Sequence, residues 1–177
     1  MNYKKLFNKE LAKLNKTIGR FVESFGCNFG GMSTDFHCYC GEDDAYTVFY
    51  SILTPVDTDK RFLDMFANDF HIENVGIFTL SLLHEIGHCF TYQNLSKNDI
   101  KFCNESKKII DRMKNREVKD KEYFHLPDEL MASAWAAGFI ENNRKEVLHF
   151  DNLMKKELKR FYRKCLTELS STGIINI

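Results

Sequence analysis

Apolar residues recur every three or four positions over residues 6–25 of the chain. That spacing collects them on one face of a helix and leaves the polar residues between them on the other face. The pattern predicts an amphipathic helix that packs against a core and ends at the glycine-rich run GCNFGG. The apolar face consists of Leu6, Phe7, Leu11, Leu14, Ile18, Phe21, Val22 and Phe25.

Two runs with the composition of β-strands follow, TDFHCYC and AYTVFYSILT, with GEDD between them. β-Branched and aromatic residues are frequent in both runs, and four polar residues suffice for a hairpin loop. In the second run the alternate residues from Tyr46 to Ile52 share one side, which predicts a half-buried strand closed by Pro55. We therefore expect a small antiparallel β-sheet.

Helical spacing returns after the second strand. The run DKRFLDMFANDF allows a short helix or an irregular turn, whereas residues 75–92 are expected to form one apolar helix. Ser96 and Asp99 have the spacing of a capping box and open the next helix. The run KDKEYFH is predicted to be a charged connector. Pro127 suits the first turn of a further helix, and residues 144–169 carry the apolar stripe of a last one.

Length and composition predict one mostly helical α+β domain over residues 1–177. Hydrophobic residues make up 44% of the chain, which is enough for a single packed core. No apolar run resembles a signal peptide or a membrane span, so we expect a soluble cytoplasmic protein without membrane association. The 25 basic and 25 acidic residues balance. Because acidic residues interleave with the basic ones of the tail, a solvated helix face is favoured over nucleic-acid binding.

Six cysteines occur in the chain, and in the cytoplasm they should be reduced and mostly buried. His37, Cys38 and Cys40 form a triplet that could suggest a metal site. No second set of ligands with zinc-site spacing accompanies the triplet, and alternate strand positions are a common place for small apolar residues. We therefore interpret the triplet as part of a strand.

Candidate chemistry is concentrated in the run SLLHEIGHCF, residues 81–90. Residues four apart lie on one face of a helix, so His84 and His88 can direct ring nitrogens at one ion. Glu85 is rotated by about 100° from His84 and misses the ion, but it can reach a water bound there. Zinc lowers the pKa of such a water to about 7, and a carboxylate can take its proton during attack on a carbonyl. The spacing predicts a Zn²⁺ site with Glu85 as the catalytic base.

A catalytic zinc usually has a third protein ligand, and Glu129 in the run DELMASAWAAGF is the candidate. It shares a helix face with Ala132, Ser133 and Ala136, and small residues would let that helix approach the motif helix closely. Asp128 is the rival, although its neighbours on the helix are bulky. The apolar flanks of the motif support a metal, because two histidines and a glutamate in a buried helix are costly unless something compensates them.

The run FTLSLLHEIGH, followed by Glu129, Ala132, Trp135 and Ala136 in the order E-x-x-A-x-x-[aromatic]-A, resembles the compact gluzincin peptidases of the ImmA/IrrE type. Those are intracellular bacterial and phage-associated enzymes, several of which cleave transcriptional repressors. The resemblance covers the two motif helices and the preceding strands, about half of the chain. It implies a zincin-like, minimal gluzincin core.

The resemblance also implies that His84, His88 and Glu129 hold the zinc ion and that Glu85 is the general base. Many relatives have an aspartate four residues after the third ligand, where it orients a histidine. This chain has Ser133 at that position, and its hydroxyl can accept the same hydrogen bond. The interval between His88 and Glu129 is long for the family.

These features predict a zinc-dependent endopeptidase that hydrolyses peptide bonds of an intracellular protein through a zinc-bound water activated by Glu85. The alternative is a catalytically silent zinc-binding domain that keeps a peptidase fold for protein interactions, and another zinc hydrolase such as an amidase would share the site. An intact Glu85 favours catalysis, because zinc binding alone does not need it. Tyr92, Tyr123 and His125 are positional candidates for stabilising the oxyanion.

Residues 46–53 are the expected docking place for the substrate. Their strand precedes the motif helix by a short connection, as the substrate-lining edge strand does in the resembled family. An open sheet edge presents unpaired N–H and C=O groups, which an extended peptide can use as an added strand. We expect the peptide to lie there unless another strand or the N-terminal helix covers the edge.

Overall fold

A computed structural model describes residues 3–41, 45–52 and 56–171 of the chain. Helices hold most of these residues and the strands form one small sheet, which confirms the mostly helical α+β prediction. In chain order the elements are α1 (Tyr3–Glu23), β1 (Asn28–Met32), β2 (His37–Cys40), β3 (Tyr46–Tyr50), α2 (Val56–Phe70), α3 (Ile77–Thr91), a 3-10 turn (Tyr92–Asn94), α4 (Lys97–Ile110), α5 (Arg116–Phe124), α6 (Pro127–Asn142) and α7 (Arg144–Ser171).

The sheet is mixed rather than antiparallel. The predicted pair β2 and β3 is antiparallel, but β1 joins the other side of β3 in parallel. We did not predict β1, because its sequence NFGGM contains two glycines, which usually weaken a strand. Here the glycines have a structural use. A side chain on Gly30 would meet the ring of Phe49 at 2.3 Å, and Gly31 has a φ of 95° where the ladder register shifts.

The strand expected to offer an open edge lies in the middle of the sheet. The strand order is β1-β3-β2, so both edges of β3 are paired. The prediction that a peptide lies along residues 46–53 is therefore wrong for the strand itself, and residue 53 lies outside the described part of the chain. Within that part β2 pairs with β3 alone, which leaves the other edge of β2 free.

The helices follow the hydrophobic pattern closely. The capping box at Ser96 is present, with the Asp99 N–H 3.1 Å from the serine hydroxyl and the Ser96 N–H 3.0 Å from the aspartate. The undecided run after the sheet is the helix α2. The prediction that the run KDKEYFH is a charged connector is wrong, because its residues form most of α5. The side-chain oxygen of Asn115 caps the start of α5 by accepting hydrogen bonds from the N–H groups of Glu117 and Val118.

One hydrophobic cluster extends from α1 through β3 and α3 to α7. The apolar faces predicted for the first and last helices supply much of it, and Ile18, Val22 and Val147 are fully buried. Basic residues of α7 form ion pairs, including Lys155 with Asp151. No helix among the described residues combines the length and apolar character that crossing a membrane requires.

The motif helix α3 is fixed at its start and along one side. The carboxylate of Asp151 on α7 accepts hydrogen bonds from the Gly76 N–H (2.9 Å) and the Thr79 hydroxyl (2.8 Å) at the N-terminus of α3. Further along, α3 lies directly against α6, and a side chain on Gly87 would meet the carbonyl oxygen of Ala132 at 2.5 Å. This contact confirms the predicted small-residue face of α6 and brings its first turn to the motif.

Candidate metal centre

Three side chains converge where α3 and α6 touch. His84 and His88 extend from the same face of α3, and their Nε2 atoms lie 3.1 Å apart. The Oε2 atom of Glu129, in the first turn of α6, lies 3.0 Å from Nε2 of His84 and 3.4 Å from Nε2 of His88. Their ligand atoms all lie within 4.8 Å of one another, so the group could hold a metal ion.

The triangle of donor atoms has the right size for a small cation. Ligands about 2.0–2.1 Å from a tetrahedral ion lie roughly 3.3 Å from each other. The three observed separations, 3.0, 3.1 and 3.4 Å, are close to that value. Two imidazole nitrogens and one carboxylate oxygen also make up a common donor set for zinc at catalytic sites. The residues therefore fit a metal ion of this kind.

The ring of His84 is held in its orientation by groups on other helices. Its Nδ1 atom lies 3.0 Å from the hydroxyl of Ser133 on α6, and the ring of Phe62 on α2 meets it edge to face. We assign the Nδ1 proton to the bond with Ser133, because this leaves the lone pair of Nε2 directed at the shared point. The predicted hydrogen bond between a motif histidine and Ser133 is thus present.

The two oxygens of Glu129 have different partners. Oε2 faces the histidines, while Oε1 accepts a 2.7 Å hydrogen bond from the ammonium group of Lys107 on α4. Burial opposes ionisation of Glu129, but its close interaction with His84 and His88 outweighs burial and holds its pKa well below the usual range. Asp128 does not join the histidines, because its Oδ2 atom binds Lys107 at 2.7 Å.

Glu85 lines the same cleft as the two histidines but is not one of the three grouped donors. This placement follows from its position one residue after His84 on the helix. Burial raises the pKa of the Glu85 carboxyl, and the nearby His84 and His88 only partly oppose that effect. A raised pKa makes a carboxylate a better acceptor of a proton near neutral pH.

A cleft of about 730 Å³ opens above the donors. All four residues of the strand β2 line the cleft, and α4 and α5 also contribute residues to its lining. Tyr92 and Tyr123 both line it. His125 is not among the residues that line the cleft, and its ring is hydrogen-bonded to the carbonyl of Lys121. Of the three candidates for oxyanion stabilisation, the structure brings the two tyrosines to the cleft.

Sequence analysis missed two side chains of this site. Lys107, which binds both acidic residues at the start of α6, gave no signal because a lysine on an amphipathic helix is usually solvated. His37 was interpreted only as a strand residue. It also lines the cleft, where its ring stacks on Phe49 with centroids 4.5 Å apart.

Comparisons of the chain with models of protein families, with characterised proteins and with solved structures give no significant match.

Proposed function

We propose that the protein is a zinc-dependent endopeptidase that hydrolyses a peptide bond of a protein substrate. The observation that carries the proposal is the convergence of His84, His88 and Glu129 on one point, with Glu85 beside them in an open cleft. His84, His88 and Glu129 would hold the zinc ion, which would lower the pKa of a water to about 7 and polarise a carbonyl group. A carboxylate in that place that is not a ligand supports hydrolysis over a catalytically silent zinc-binding domain.

In the proposed reaction Glu85 accepts a proton from the water that attacks the scissile carbonyl carbon. The same carboxyl then delivers the proton to the leaving amine. The developing oxyanion needs a hydrogen-bond donor, and the hydroxyl groups of Tyr92 and Tyr123 are the candidates that the cleft provides. Burial raises the pKa of Tyr123 above its ordinary value, which keeps its hydroxyl protonated and able to donate.

The free edge of β2 is the proposed docking place for an extended substrate. It replaces the paired strand β3 that we expected from the sequence. Main-chain groups along His37–Cys40 can hydrogen-bond a peptide as an added strand, beside the donors and Glu85. The side chain of Tyr39 is 59% exposed on this strand and is available to contact the substrate. A crystal structure with a peptide-like zinc inhibitor would show its backbone along β2 or contradict this path.

The resemblance to the ImmA/IrrE-type gluzincins supports the same chemistry and suggests a cellular context for it. We propose a zincin-like core, a cytoplasmic location, a phage or mobile-element association and an intracellular protein substrate on that basis. The bond between His84 and Ser133 supports the resemblance, because it performs the orienting role that an aspartate has in many relatives.

The experiment compares the purified protein with its Glu85→Gln variant. Both should contain about one zinc ion per chain, the number for a single three-ligand site. Each is incubated with a cell lysate, and new protein termini are mapped by mass spectrometry. The native protein should generate termini, and Glu85→Gln should reduce their rate of formation about 10²–10⁴-fold, the usual contribution of a general base. Glu122→Gln, an exposed change, is the matched control.

Ligand variants complete the test. His84→Ala, His88→Ala and Glu129→Ala should each lose most of the zinc, whereas Asp128→Ala should lose much less. Zinc at full occupancy without any new termini would instead favour the catalytically silent interaction domain. A native protein that cannot be loaded with zinc would contradict both functions.

A further inference from the structure

Thiols meet where the cleft strand β2 lies on the motif helix α3. The Sγ atoms of Cys38 on β2 and Cys89 on α3 are 3.3 Å apart, although 51 residues separate them in the chain. Cys27, just before β1, is the third thiol of this group, and a hydrogen bond with Cys89 lowers its pKa. All six cysteines of the chain are free in the structure.

The contact between Cys38 and Cys89 is close to that of a bonded pair. A disulfide holds its sulfurs about 2.05 Å apart, so closing the bond requires an approach of roughly 1.3 Å. The two thiols differ in how accessible they are from the cleft. Cys38 is half-buried and lines the cleft, whereas Cys89 is 9% exposed and lies behind it. A small oxidant in the cleft therefore meets Cys38 first.

We infer that Cys38 and Cys89 form a reversible disulfide that ties the cleft strand to the motif helix, with a hydroperoxide as the oxidant. The Cys38 thiolate attacks one peroxide oxygen, the O–O bond breaks, and water leaves after protonation, which gives a sulfenic acid. The Cys89 sulfur then attacks the Cys38 sulfur, and the S–O bond breaks with loss of a second water. Two thiols and hydrogen peroxide become one disulfide and two waters, and a dithiol reductant reverses the change.

The consequence for activity rests on the proposed peptidase function. Cys89 follows His88 directly, and its thiol also contacts the carbonyl oxygen of Glu85 at 3.5 Å. Bond formation draws β2 toward α3, that is, toward the donors and the base. A displacement of about 1 Å in a substrate-positioning element can reduce catalysis by as much as 10²-fold. The oxidised protein should therefore cleave peptides at least about 10-fold more slowly, as kcat/KM, than the reduced protein.

The test uses the full-length, zinc-loaded protein, treated with hydrogen peroxide and then with a thiol-alkylating reagent. Peptide mapping without reductant should find Cys38 joined to Cys89, and dithiothreitol should restore both thiols. Because the bond closes a long loop, the unfolding temperature should rise by roughly 5–10 °C. Cys38→Ser and Cys89→Ala should each abolish the cross-link and the rise in unfolding temperature. Cys27→Ser should keep the cross-link and the rise in unfolding temperature. Cys103→Ser should also keep them, because Cys103 lies in a separate hydrophobic cluster.

Several results would overturn the inference. They are the absence of the Cys38–Cys89 peptide, a Cys27–Cys89 link in its place, or unchanged kcat/KM at full cross-linking in an active enzyme. Mapping and unfolding temperature do not depend on turnover. If the native protein proves inactive as a peptidase, the disulfide is still decided by those two measurements, so the two failures are distinguishable.

Discussion

At the candidate metal centre, the ring of His84 is held between the Ser133 hydroxyl and the edge-to-face contact with Phe62. The side chain of Ser133 is fully buried. Removal of its hydroxyl would leave Nδ1 of His84 without a hydrogen-bond partner. A water could take the place of the hydroxyl only if the substitution left a cavity large enough to hold it. A ligand ring without its outer hydrogen bond loses its fixed orientation and part of its basicity.

We therefore predict that Ser133→Ala lowers zinc affinity about 10–100-fold, the usual effect of losing the outer partner of a histidine ligand. Competition with a chelating indicator measures that affinity. The control is Ser106→Ala, a partly exposed serine on α4. Equal affinities for Ser133→Ala and the native protein would show that the hydroxyl does not orient the ring.

The residues of the site differed in how far the sequence could predict them. His84, Glu85 and His88 lie within one helical turn, so their relative geometry is fixed by the helix itself. Glu129 lies on a second helix. The small residues on its face, and the resemblance to the ImmA/IrrE-type motif, indicated which carboxylate meets the histidines. Lys107 extends from α4 and joins the site through its ion pairs with Asp128 and Glu129 on α6. No local sequence pattern distinguishes it from a solvated lysine.

At the scale of elements, the contact between α3 and α6 sets the distance between the histidines and Glu129. The backbones approach most closely at Gly87, where the space for a side chain is occupied by the Ala132 carbonyl group. Alanine there would favour the helix by about 1 kcal/mol but would push the two helices apart. Overpacking of this kind usually costs about 1–3 kcal/mol, so the steric effect should dominate.

Gly87→Ala should thus lower the free energy of unfolding by about 1–2 kcal/mol and weaken zinc binding, since it moves α6 together with Glu129. Gly138→Ala is the matched control in the same helix pair, because a side chain there meets nothing within 4 Å. It should raise the free energy of unfolding by about 0.5–1 kcal/mol. Denaturant unfolding of both variants measures these changes. Destabilisation by Gly138→Ala as well would indicate a general intolerance of α3 and α6 rather than a close approach at Gly87.

Elements with a strong hydrophobic periodicity could be predicted from the sequence, whereas the pairing of the strands in the sheet could not. The apolar repeats of α1, α3 and α7 and the capping box of α4 depend on residues close in sequence. The sheet order depends instead on the insertion of β1 beside β3, which brings together Asn28 and Thr47 from different parts of the chain. The glycines that hid β1 from a pattern search are the residues that allow its irregular register.

On the scale of the whole molecule, the first and last helices close the fold, and a buried charge lies between them. Glu10 on α1 is 3% exposed, and its Oε1 accepts hydrogen bonds from Lys13 (2.9 Å) and from Lys164 on α7 (3.1 Å). The bond to Lys164 joins parts of the chain 154 residues apart. Both lysines are more than a third exposed, so solvent screens their effect, and we expect a stabilisation of about 1 kcal/mol.

The charge on Glu10 makes that contribution depend on pH. The hydrogen bond from Lys13, with a further one from Lys164, outweighs burial and lowers the pKa of Glu10 in the folded state. Since the unfolded chain binds this proton more readily, the contribution is fully present above the unfolded pKa of about 4.3 and is lost as the pH falls through the lower folded value. Glu10→Gln should therefore be less stable than the native protein at pH 7 by about 1 kcal/mol, and the two should converge once the pH falls below the lowered folded-state pKa of Glu10. Urea unfolding across this range measures the difference, with Glu105→Gln in an exposed pair as the control that should stay within about 0.5 kcal/mol throughout. A difference that stays constant with pH would assign the effect of Glu10 to packing rather than to its charge.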